Sequence, residues 1–343
     1  MRWLRVEDLS AVAACRAAAS TLAGRLRFPG ARVDELTLAV TEAASNLHKH
    51  ARQGSLLVRI GRDGGVPGIE LVTIDTGPGF RDMGMAMRDG HSTSGTLGIG
   101  LGAIQRLADF CDLYSVPGHG TALVARFWPR PQGTERQGDH RQEAERHRQA
   151  ARWAGLIRPI TGETECGDNF GAACVGDTIT GVLCDGLGHG PLAASAAAEA
   201  VAAVLAAVLA GDAGSEPAAL VEYAHRRTSH TRGGAIGVVQ VTGETARFAG
   251  LGNITATLLA DGTRRNMLSV PGIVGHQART IRQYEYDIAP RTSIVLHSDG
   301  ISARWEAAAL PGLAVRDPLV VAAALLAEAG THRDDAGLLV LRP

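Results

Sequence analysis

The sequence predicts an α+β protein of two domains. Its 343 residues exceed the usual size of a single domain. Both halves contain short apolar runs typical of strands and longer amphipathic or alanine-rich runs typical of helices. Residues 130–152, between the halves, are almost wholly polar and cannot form a core. We therefore expect a polar linker there, between a domain at residues 1–129 and a domain at residues 153–343.

The first half is predicted to contain three helices and four strands. Helices are expected at Ser10–Leu26, with Ser10 as its N-cap, at Asp34–Ala51 and at Ala103–Asp109. The predicted strands are Leu56–Ile60, Ile69–Asp75, Leu113–Val116 and Ala122–Phe127.

The apolar runs of the second half predict helices that cover an antiparallel double sheet. The run Leu192–Leu209 is long and alanine-rich, but Glu199 interrupts it and the Gly190-Pro191 pair is a helix start signal. We expect a buried helix there rather than a membrane span. Further helices are expected at Pro217–Ser229 and Pro318–Ala329, and strands at Ile179–Cys184, Ala235–Val241, Ala246–Ala249, Ala256–Leu259, Ser293–His297 and Gly337–Leu341.

Composition favours a cytoplasmic protein. The formal charge of −1 gives no reason to expect a nucleic acid partner. Five cysteines without Cys-x-x-Cys spacing indicate reduced thiols rather than disulfides or a zinc site. Charged residues such as Arg5 and Glu7 interrupt the first segment, so we expect neither a signal peptide nor a membrane partner.

Four acidic motifs in the second half predict a metal centre. Asp168, Asp185, Asp299 and Asp334 each lie at the end of an apolar run or beside glycine. A single Asp-Gly pair is as often only a turn, so the argument rests on all four together. Carboxylates that converge repel one another unless a hard cation neutralises them, and oxygen ligands suit Mg²⁺ or Mn²⁺. A pair of such ions can activate a water for attack on phosphorus.

These motifs, with the run Asp185–Gly190 (Asp-Gly-Leu-Gly-His-Gly) among them, resemble the PP2C class of metal-dependent serine/threonine phosphatases. The resemblance covers residues 155–343 and points to the SpoIIE-like and RsbX-like branch, whose fold is an α-β-β-α sandwich. It implies two Mn²⁺ or Mg²⁺ ions bridged by Asp185, with the Gly186 carbonyl as a further ligand. It also implies that Asp299, Asp334 and the early acidic residue Asp168 are ligands.

One position departs from the pattern of that family. Many members end in Asp-Asp-x-Thr, whereas this chain has Gly337 in place of the threonine. We expect altered local hydrogen bonding there, without loss of a metal ligand.

The first half contains a second set of polar motifs. Glu42, Asn46 and Lys49 are spaced to share one helix face, which alone could be a solvated surface. Two glycine-rich segments follow. Asp75-Thr76-Gly77-Pro78-Gly79 comes after a predicted strand, and Gly98-Ile99-Gly100-Leu101-Gly102 opens a predicted helix, where backbone N–H groups can approach phosphates.

Together with Gly118-His119-Gly120-Thr121, this ordered set resembles the GHKL (Bergerat-fold) ATP-binding domain over residues 1–129, and most nearly anti-sigma-factor and RsbT-like serine kinases. The resemblance implies a mixed sheet with helices on one face, and ATP bound with Mg²⁺. Asn46 would bind Mg²⁺, Glu42 would be the general base and Lys49 would contact a phosphate. Asp75 would accept the adenine amino group, with Thr121 near adenine. The glycines Gly77, Gly79, Gly98, Gly100 and Gly102 would line the nucleotide, and Phe80–Leu97 would form the lid.

The two resemblances together imply a kinase and a phosphatase on one chain. Their usual setting is a partner-switching pathway, with STAS-domain anti-sigma antagonists phosphorylated on serine or threonine as substrates. In one alternative the first domain binds ATP without transferring phosphate and sequesters a sigma factor or STAS protein. In another the phosphatase half is an inactive scaffold, which the presence of Asp185, Asp299 and Asp334 disfavours. A two-component histidine kinase is disfavoured because no histidine precedes Asp34.

Overall fold

The computed structural model describes residues 2–63, 66–80, 100–129, 152–211 and 216–343. The chain divides into two compact units between residues 151 and 152. All of the predicted linker except Arg152 lies outside the described residues.

The first unit is built on a five-stranded sheet in the order β1-β2-β3-β5-β4. Each pairing between these strands is antiparallel, which corrects the expectation of a mixed sheet. Neighbouring strands such as β4 and β5 are joined by short turns, and such turns can connect only antiparallel strands. The strands are β1 (Trp3–Arg5), β2 (Ser55–Asp63), β3 (Val66–Asp75), β4 (Phe110–Ser115) and β5 (Thr121–Phe127).

Three helices pack on one face of this sheet: α1 (Leu9–Arg25), α2 (Gly30–His50) and α3 (Gly100–Leu107). The predicted N-cap of α1 is wrong. The Asp8 carboxylate accepts a hydrogen bond from the Ala11 amide at 2.9 Å and caps the helix, while the Ser10 hydroxyl donates to Asp8. Aspartate and serine are equally good caps, so composition alone could not choose between them.

Helix α2 begins at Gly30, about a turn earlier than predicted. Arg32 in this first turn is only 4% exposed and forms ion pairs with Glu35 and Asp109. Its guanidinium also donates to the carbonyl oxygens of Leu107 and Trp128, at 2.7 Å and 3.1 Å. This buried cation therefore fixes the start of the helix that carries Glu42 and Asn46.

The second unit contains two sheets packed face to face. The six-stranded sheet runs β13-β10-β9-β8-β7 with β14 also paired to β10, and the five-stranded sheet runs β12-β11-β15-β16-β6. Among the described pairings only β10–β13 is parallel. The strands are β6 (Trp153–Arg158), β7 (Asp168–Val175), β8 (Thr178–Gly186), β9 (Gly234–Thr242), β10 (Thr245–Leu251), β11 (Thr255–Ala260), β12 (Thr263–Asn266), β13 (Ser269–Val270), β14 (Tyr284–Asp287), β15 (Ser293–His297) and β16 (Ala336–Leu341).

Helices cover the outer faces of both sheets. Helices α4 (Pro191–Ala210) and α5 (Pro217–Arg227) pack on the six-stranded sheet, and α6 (Pro318–Ala329) packs on β6 and β16. Along β8 the buried side chains alternate, so that Val182 contacts the helices and Leu183 lies between the sheets. The result is the expected α-β-β-α sandwich.

Helix α4 is long and apolar enough to cross a membrane by length and composition alone. In the structure its Ala197, Val201 and Val204 are buried in the cluster shared with β8, β9 and α5. One face of this helix is therefore packed in the core of the second unit.

Six strands of the described residues were not predicted, namely β1, β6, β7 and β12 to β14. Strand β7 matters most because it begins with Asp168. Its sequence, Asp-Asn-Phe-Gly-Ala-Ala-Cys-Val, lacks the apolar alternation on which strand prediction relies. Its formation depends on pairing with the strongly apolar β8.

Candidate functional site

Two of the predicted acidic residues face each other across adjacent strands of the second unit. Asp168 at the start of β7 is in register with Asp185 near the end of β8. Asp168 is 1% exposed, and its Oδ2 accepts a hydrogen bond from the Ser298 hydroxyl at 2.6 Å. Its Oδ1 is buried without a hydrogen-bond partner among the described residues. An orphaned carboxylate oxygen is costly to bury, so this position favours a cation or a proton.

The other two predicted ligands lie at the same end of two neighbouring strands in the five-stranded sheet. Asp299 follows β15 and Asp334 precedes β16, and these strands are antiparallel neighbours. The Asn253 amide donates to Asp299 Oδ2 at 2.7 Å. Asp185, Asp299 and Asp334 all line a cavity of about 770 Å³, whereas Asp168 and Gly186 are not among its lining residues.

The carboxylates of this cavity repel one another. Burial and the nearby Asp299 and Asp334 raise the pKa of Asp185 to about 7. Burial and Asp334 also raise the pKa of Asp299, while burial and Asp185 raise that of Asp168. A divalent cation would relieve this repulsion.

The donor set fits Mg²⁺ or Mn²⁺ bound largely through water. Within the described ranges, no three His, Cys, Asp or Glu side chains lie close enough together to hold one ion by themselves. Mg²⁺ dehydrates reluctantly and is usually held by one or two carboxylates with several waters. The spread-out carboxylates around Asp185 match that mode of binding.

Asp335, next to the predicted ligand Asp334, has a different role. It is 2% exposed and accepts hydrogen bonds from the backbone amides of Ile160 and Gly167, at 2.7 Å and 2.8 Å. It therefore ties the loops before β7 and β16 together, a role that sequence reasoning missed because adjacent aspartates look alike.

Gly337 packs closely against the Asp168 side chain. A Cβ there would lie 2.9 Å from Asp168 Oδ2. The Gly337 amide donates to the Ser298 hydroxyl at 2.9 Å, and that hydroxyl in turn donates to Asp168. Ser298 thus supplies the local hydrogen bonding where the resembling family often has a threonine.

Gly186 lies where β8 meets helix α4. A Cβ there would lie 2.2 Å from the Ala193 carbonyl oxygen, so only glycine allows this approach. Its own amide donates to the Gly167 carbonyl at 3.1 Å.

Sequence reasoning also missed a histidine on the cavity wall. His189 lines the cavity, and its Nδ1 lies 2.9 Å from Glu163 Oε1. The signal was present, because His189 lies within the Gly-His-Gly part of the acidic motif. No sequence signal linked Asn253 or Glu163 to the site.

In the first unit, Asp75 at the end of β3 is in register with Thr121 at the start of β5. Burial raises the pKa of Asp75 to about 6, and the Gly77 amide opposes this by donating to Oδ1 at 2.7 Å. Thr121 Oγ1 lies 3.1 Å from the Ser115 hydroxyl oxygen. A half-buried carboxylate and a hydroxyl therefore lie at paired positions on adjacent strands.

Two glycines allow the chain to pass closely around this carboxylate. Gly120 has φ of +80°, and a Cβ there would lie 1.9 Å from the Asp75 carbonyl oxygen. Gly79 has φ of +65°, and a Cβ there would lie 2.3 Å from the Val116 carbonyl oxygen. Side chains are excluded at both positions.

The structure describes only some of the other residues that were predicted to contact the nucleotide. Glu42 and Asn46 are half-buried on α2 and Lys49 is exposed near its end. Gly100 and Gly102 lie in the first turn of α3, which begins three residues before the predicted Ala103. Gly98 and lid residues 81–97 lie outside the described residues.

The two halves of the chain match different protein families. Residues 6–127 match the family model of the histidine kinase-like ATPase domain, and residues 176–343 match that of stage II sporulation protein E (SpoIIE). The serine/threonine-protein kinase RsbT of Bacillus subtilis (strain 168) is 36% identical over 119 residues, which is 35% of this chain and 90% of RsbT. The chain belongs to the RsbT family. Behind its RsbT-like domain it carries a SpoIIE domain of the PP2C phosphatase class.

Solved structures similar to this RsbT-family chain each cover just over half of it. A structure described under "The bacterial stressosome" is 25% identical and covers 56% of this chain and 98% of its own, with a TM-score of 0.49. RsbX in complex with magnesium is 15% identical and covers 55% and 92%, with a TM-score of 0.45. The phosphatase PstP with two manganese ions is 16% identical and covers 55% and 96%, with a TM-score of 0.43.

Proposed function

We propose that the second domain is a Mn²⁺- or Mg²⁺-dependent phosphatase that removes phosphate from serine or threonine of a partner protein. The observation that carries this is one cavity lined by Asp185, Asp299 and Asp334, with Asp168, whose Oδ1 is buried without a hydrogen-bond partner among the described residues, opposite Asp185 on the neighbouring strand. Two bound ions would activate a water and neutralise charge on the phosphoryl oxygens.

The residues of the site divide this work. Asp185 is paired in register with Asp168, and it also lines the cavity with Asp299 and Asp334. It is therefore the one of these four carboxylates that belongs both to the cross-strand pair and to the cavity lining. We assign it the bridging role, with Gly186 as the further backbone ligand. Asn253 orients Asp299 by a hydrogen bond, and Ser298 orients Asp168.

The first domain is proposed to bind ATP with Mg²⁺ and to transfer its γ-phosphate to a serine or threonine. Asp75 beside Thr121 would recognise adenine, Asn46 would hold Mg²⁺ and Lys49 would contact a phosphate. Glu42, one turn before Asn46, would orient or deprotonate the accepting hydroxyl. The 36% identity to the kinase RsbT supports this assignment.

A kinase and a phosphatase on one cytoplasmic chain would set the phosphorylation level of one partner. RsbT and RsbX, both similar to parts of this chain, suggest a partner-switching setting. We therefore propose a STAS-domain anti-sigma antagonist as the substrate.

A second candidate is that the first domain binds ATP without transferring phosphate and sequesters a sigma factor or STAS protein. It is favoured by the fact that the Asp75–Thr121 pair and the close glycine turns can hold a nucleotide without any help from Glu42. Only the phosphatase would then be an enzyme.

The two candidates are separated by incubating the purified chain with ATP, Mg²⁺ and candidate STAS proteins. Mass spectrometry would locate any phosphate transferred. Adding Mn²⁺ afterwards should then remove that phosphate through the second domain. ATP-dependent binding without transfer would support the second candidate, and neither transfer nor binding would overturn both.

A further inference from the structure

The second unit has another cavity, away from the phosphatase cavity. Its volume is about 510 Å³, and Arg291 and Arg342 are among the residues that line it. Arg291 lies two residues before β15 and Arg342 directly follows β16, whereas Asp299 and Asp334 lie at the other ends of these antiparallel strands. The two cavities are therefore at opposite ends of one strand pair, and the second has a volume typical of small-molecule sites.

Arg291 has a backbone conformation that favours glycine. Its φ is +64°, and it follows Pro290 in the turn before β15. Proline fixes its own φ near about −65°, and a turn with proline first and a positive φ second is a type II turn, whose second position prefers glycine. An arginine at this position lowers the stability of the turn. Such a residue at the wall of a cavity indicates that its side chain has a role in binding.

Both arginines have hydrogen-bond donors to spare. Arg291 is exposed, and its side chain has no hydrogen bond or ion pair among the described residues. Arg342 Nη2 donates to the Arg316 carbonyl, while its Nε is buried without a partner in the same part of the chain. A guanidinium carries five N–H donors in a planar fork that suits carboxylate and phosphate groups. An anion could therefore take up donors that the protein leaves unused.

The rest of the cavity wall is largely apolar. Ile288, Ala314 and Val315 line it, and the first two of these are buried. Glu244, exposed in the turn between β9 and β10, also lines it but forms no ion pair with either arginine in the described ranges. Two cations against one carboxylate leave the lining positive, and the apolar wall suits a ligand that has more than a charged group.

We propose that this cavity binds a small organic anion with an apolar body. Arg291 and Arg342 hold the carboxylate, sulfonate or phosphate group of the ligand, and Ile288 and Val315 contact its apolar part. Glu244 opposes binding by repelling the same charge. The inference does not depend on the proposed phosphatase function.

Fluorescence titration of the full chain with anilinonaphthalene sulfonate, an aromatic anion, tests the proposal. ATP and Mg²⁺ are present throughout to occupy the proposed nucleotide site. In Arg291→Gly the affinity for this dye should fall about 10-fold, because a charge-assisted hydrogen bond is lost. Glu244→Gln should raise the affinity, because a repelling charge is removed. Phenylnaphthylamine has the same aromatic body without the sulfonate, so Arg291→Gly should leave its affinity unchanged.

Thermal unfolding separates a binding role of Arg291 from a structural one. Glycine suits a φ of +64°, so the midpoint of Arg291→Gly should equal or exceed that of the wild type. Arg27 provides a matched control, because it is also an exposed arginine with positive φ, at +56°, and does not line the cavity. Arg27→Gly should likewise keep the midpoint, and it should leave the dye affinity unchanged.

Several outcomes would overturn the anion site. One is absence of dye binding by the wild type, and another is equal dye affinity in Arg291→Gly and the wild type. An equal loss of phenylnaphthylamine affinity would show that the contact is only apolar, and the same fall in Arg27→Gly would show that the effect is not specific to the cavity. A lower thermal midpoint in Arg291→Gly would show that the side chain supports the turn instead of binding a ligand.

Discussion

At the residue scale, the charged form of Asp75 that the proposed adenine contact needs lowers the stability of the nucleotide-free domain. Burial raises the pKa of Asp75 from its ordinary 3.8 to about 6, so the folded domain favours the protonated form and loses stability as the pH rises from 3.8 to about 6. Asp75→Asn should therefore stabilise the nucleotide-free domain at neutral pH by about 1–3 kcal/mol. The same change should abolish ATP binding, because the amide presents a donor to the adenine amino group.

Thermal unfolding with and without ATP, and binding of a fluorescent nucleotide, measure both effects. Wild-type ATP affinity should also fall as the pH drops below about 6, where Asp75 becomes protonated. Asp34→Asn, which changes an exposed carboxylate of the same domain, is the control. Equal ATP affinity in Asp75→Asn and wild type would contradict the adenine pocket.

Asp334 and Asp335 are adjacent residues for which we expect opposite effects. Asp334 lines the cavity, so Asp334→Ala should relieve carboxylate repulsion and retain the fold while weakening Mn²⁺ binding. Asp335→Ala should destabilise the domain by about 1–3 kcal/mol for each backbone amide left without an acceptor. Calorimetric titration with Mn²⁺ and chemical denaturation of both variants test this, and reversed effects would refute the assignment.

At the scale of elements, Arg32 fixes helix α2 to the turn between α3 and β4. Arg32→Met should cost about 3–5 kcal/mol, because it removes the buried cation that pairs with Glu35 and Asp109 and donates to two backbone carbonyls. Loss of ATP affinity should accompany this, since α2 carries Asn46. Arg25→Met at the exposed end of α1 is the control in urea denaturation, and equal stabilities would show that the pair is unimportant.

Element prediction from sequence succeeded where one short-range pattern dominates. Helix α6 and strand β15 have the predicted bounds because a proline start or an unbroken apolar run defines them. Strand β7 was missed because its structure depends on its partner β8, and the cap of α1 was misplaced by two residues because two cap-forming residues compete there. Asp168 and Asp185 were predicted as site residues from motif order, but their register across two strands required the fold.

Two of the site residues that sequence missed share a physical cause. Glu163 and Asn253 act through hydrogen bonds to residues far away in the chain. Such contacts leave no periodic or motif signal in a single sequence, whereas carboxylates beside glycine do.

At the scale of the whole molecule, a change of Glu42 separates the proposal that the first domain transfers phosphate from the proposal that it only binds ATP. Loss of a general base typically costs about 10²–10⁴-fold in rate. Glu42→Gln should therefore bind fluorescent ATP almost normally while phosphate transfer to a STAS protein falls by such a factor. Transfer at the wild-type rate would show that Glu42 belongs to a solvated helix face.

Release of phosphate from a serine-phosphorylated STAS protein, as Mn²⁺ is titrated into wild type and Asp185→Ala, tests the central claim most directly. ATP binding by the first domain serves as the internal control for folding. We predict that wild type releases phosphate only with added metal, and that Asp185→Ala loses this release while still binding ATP. Near-normal, metal-dependent release by Asp185→Ala would contradict the proposed metal centre.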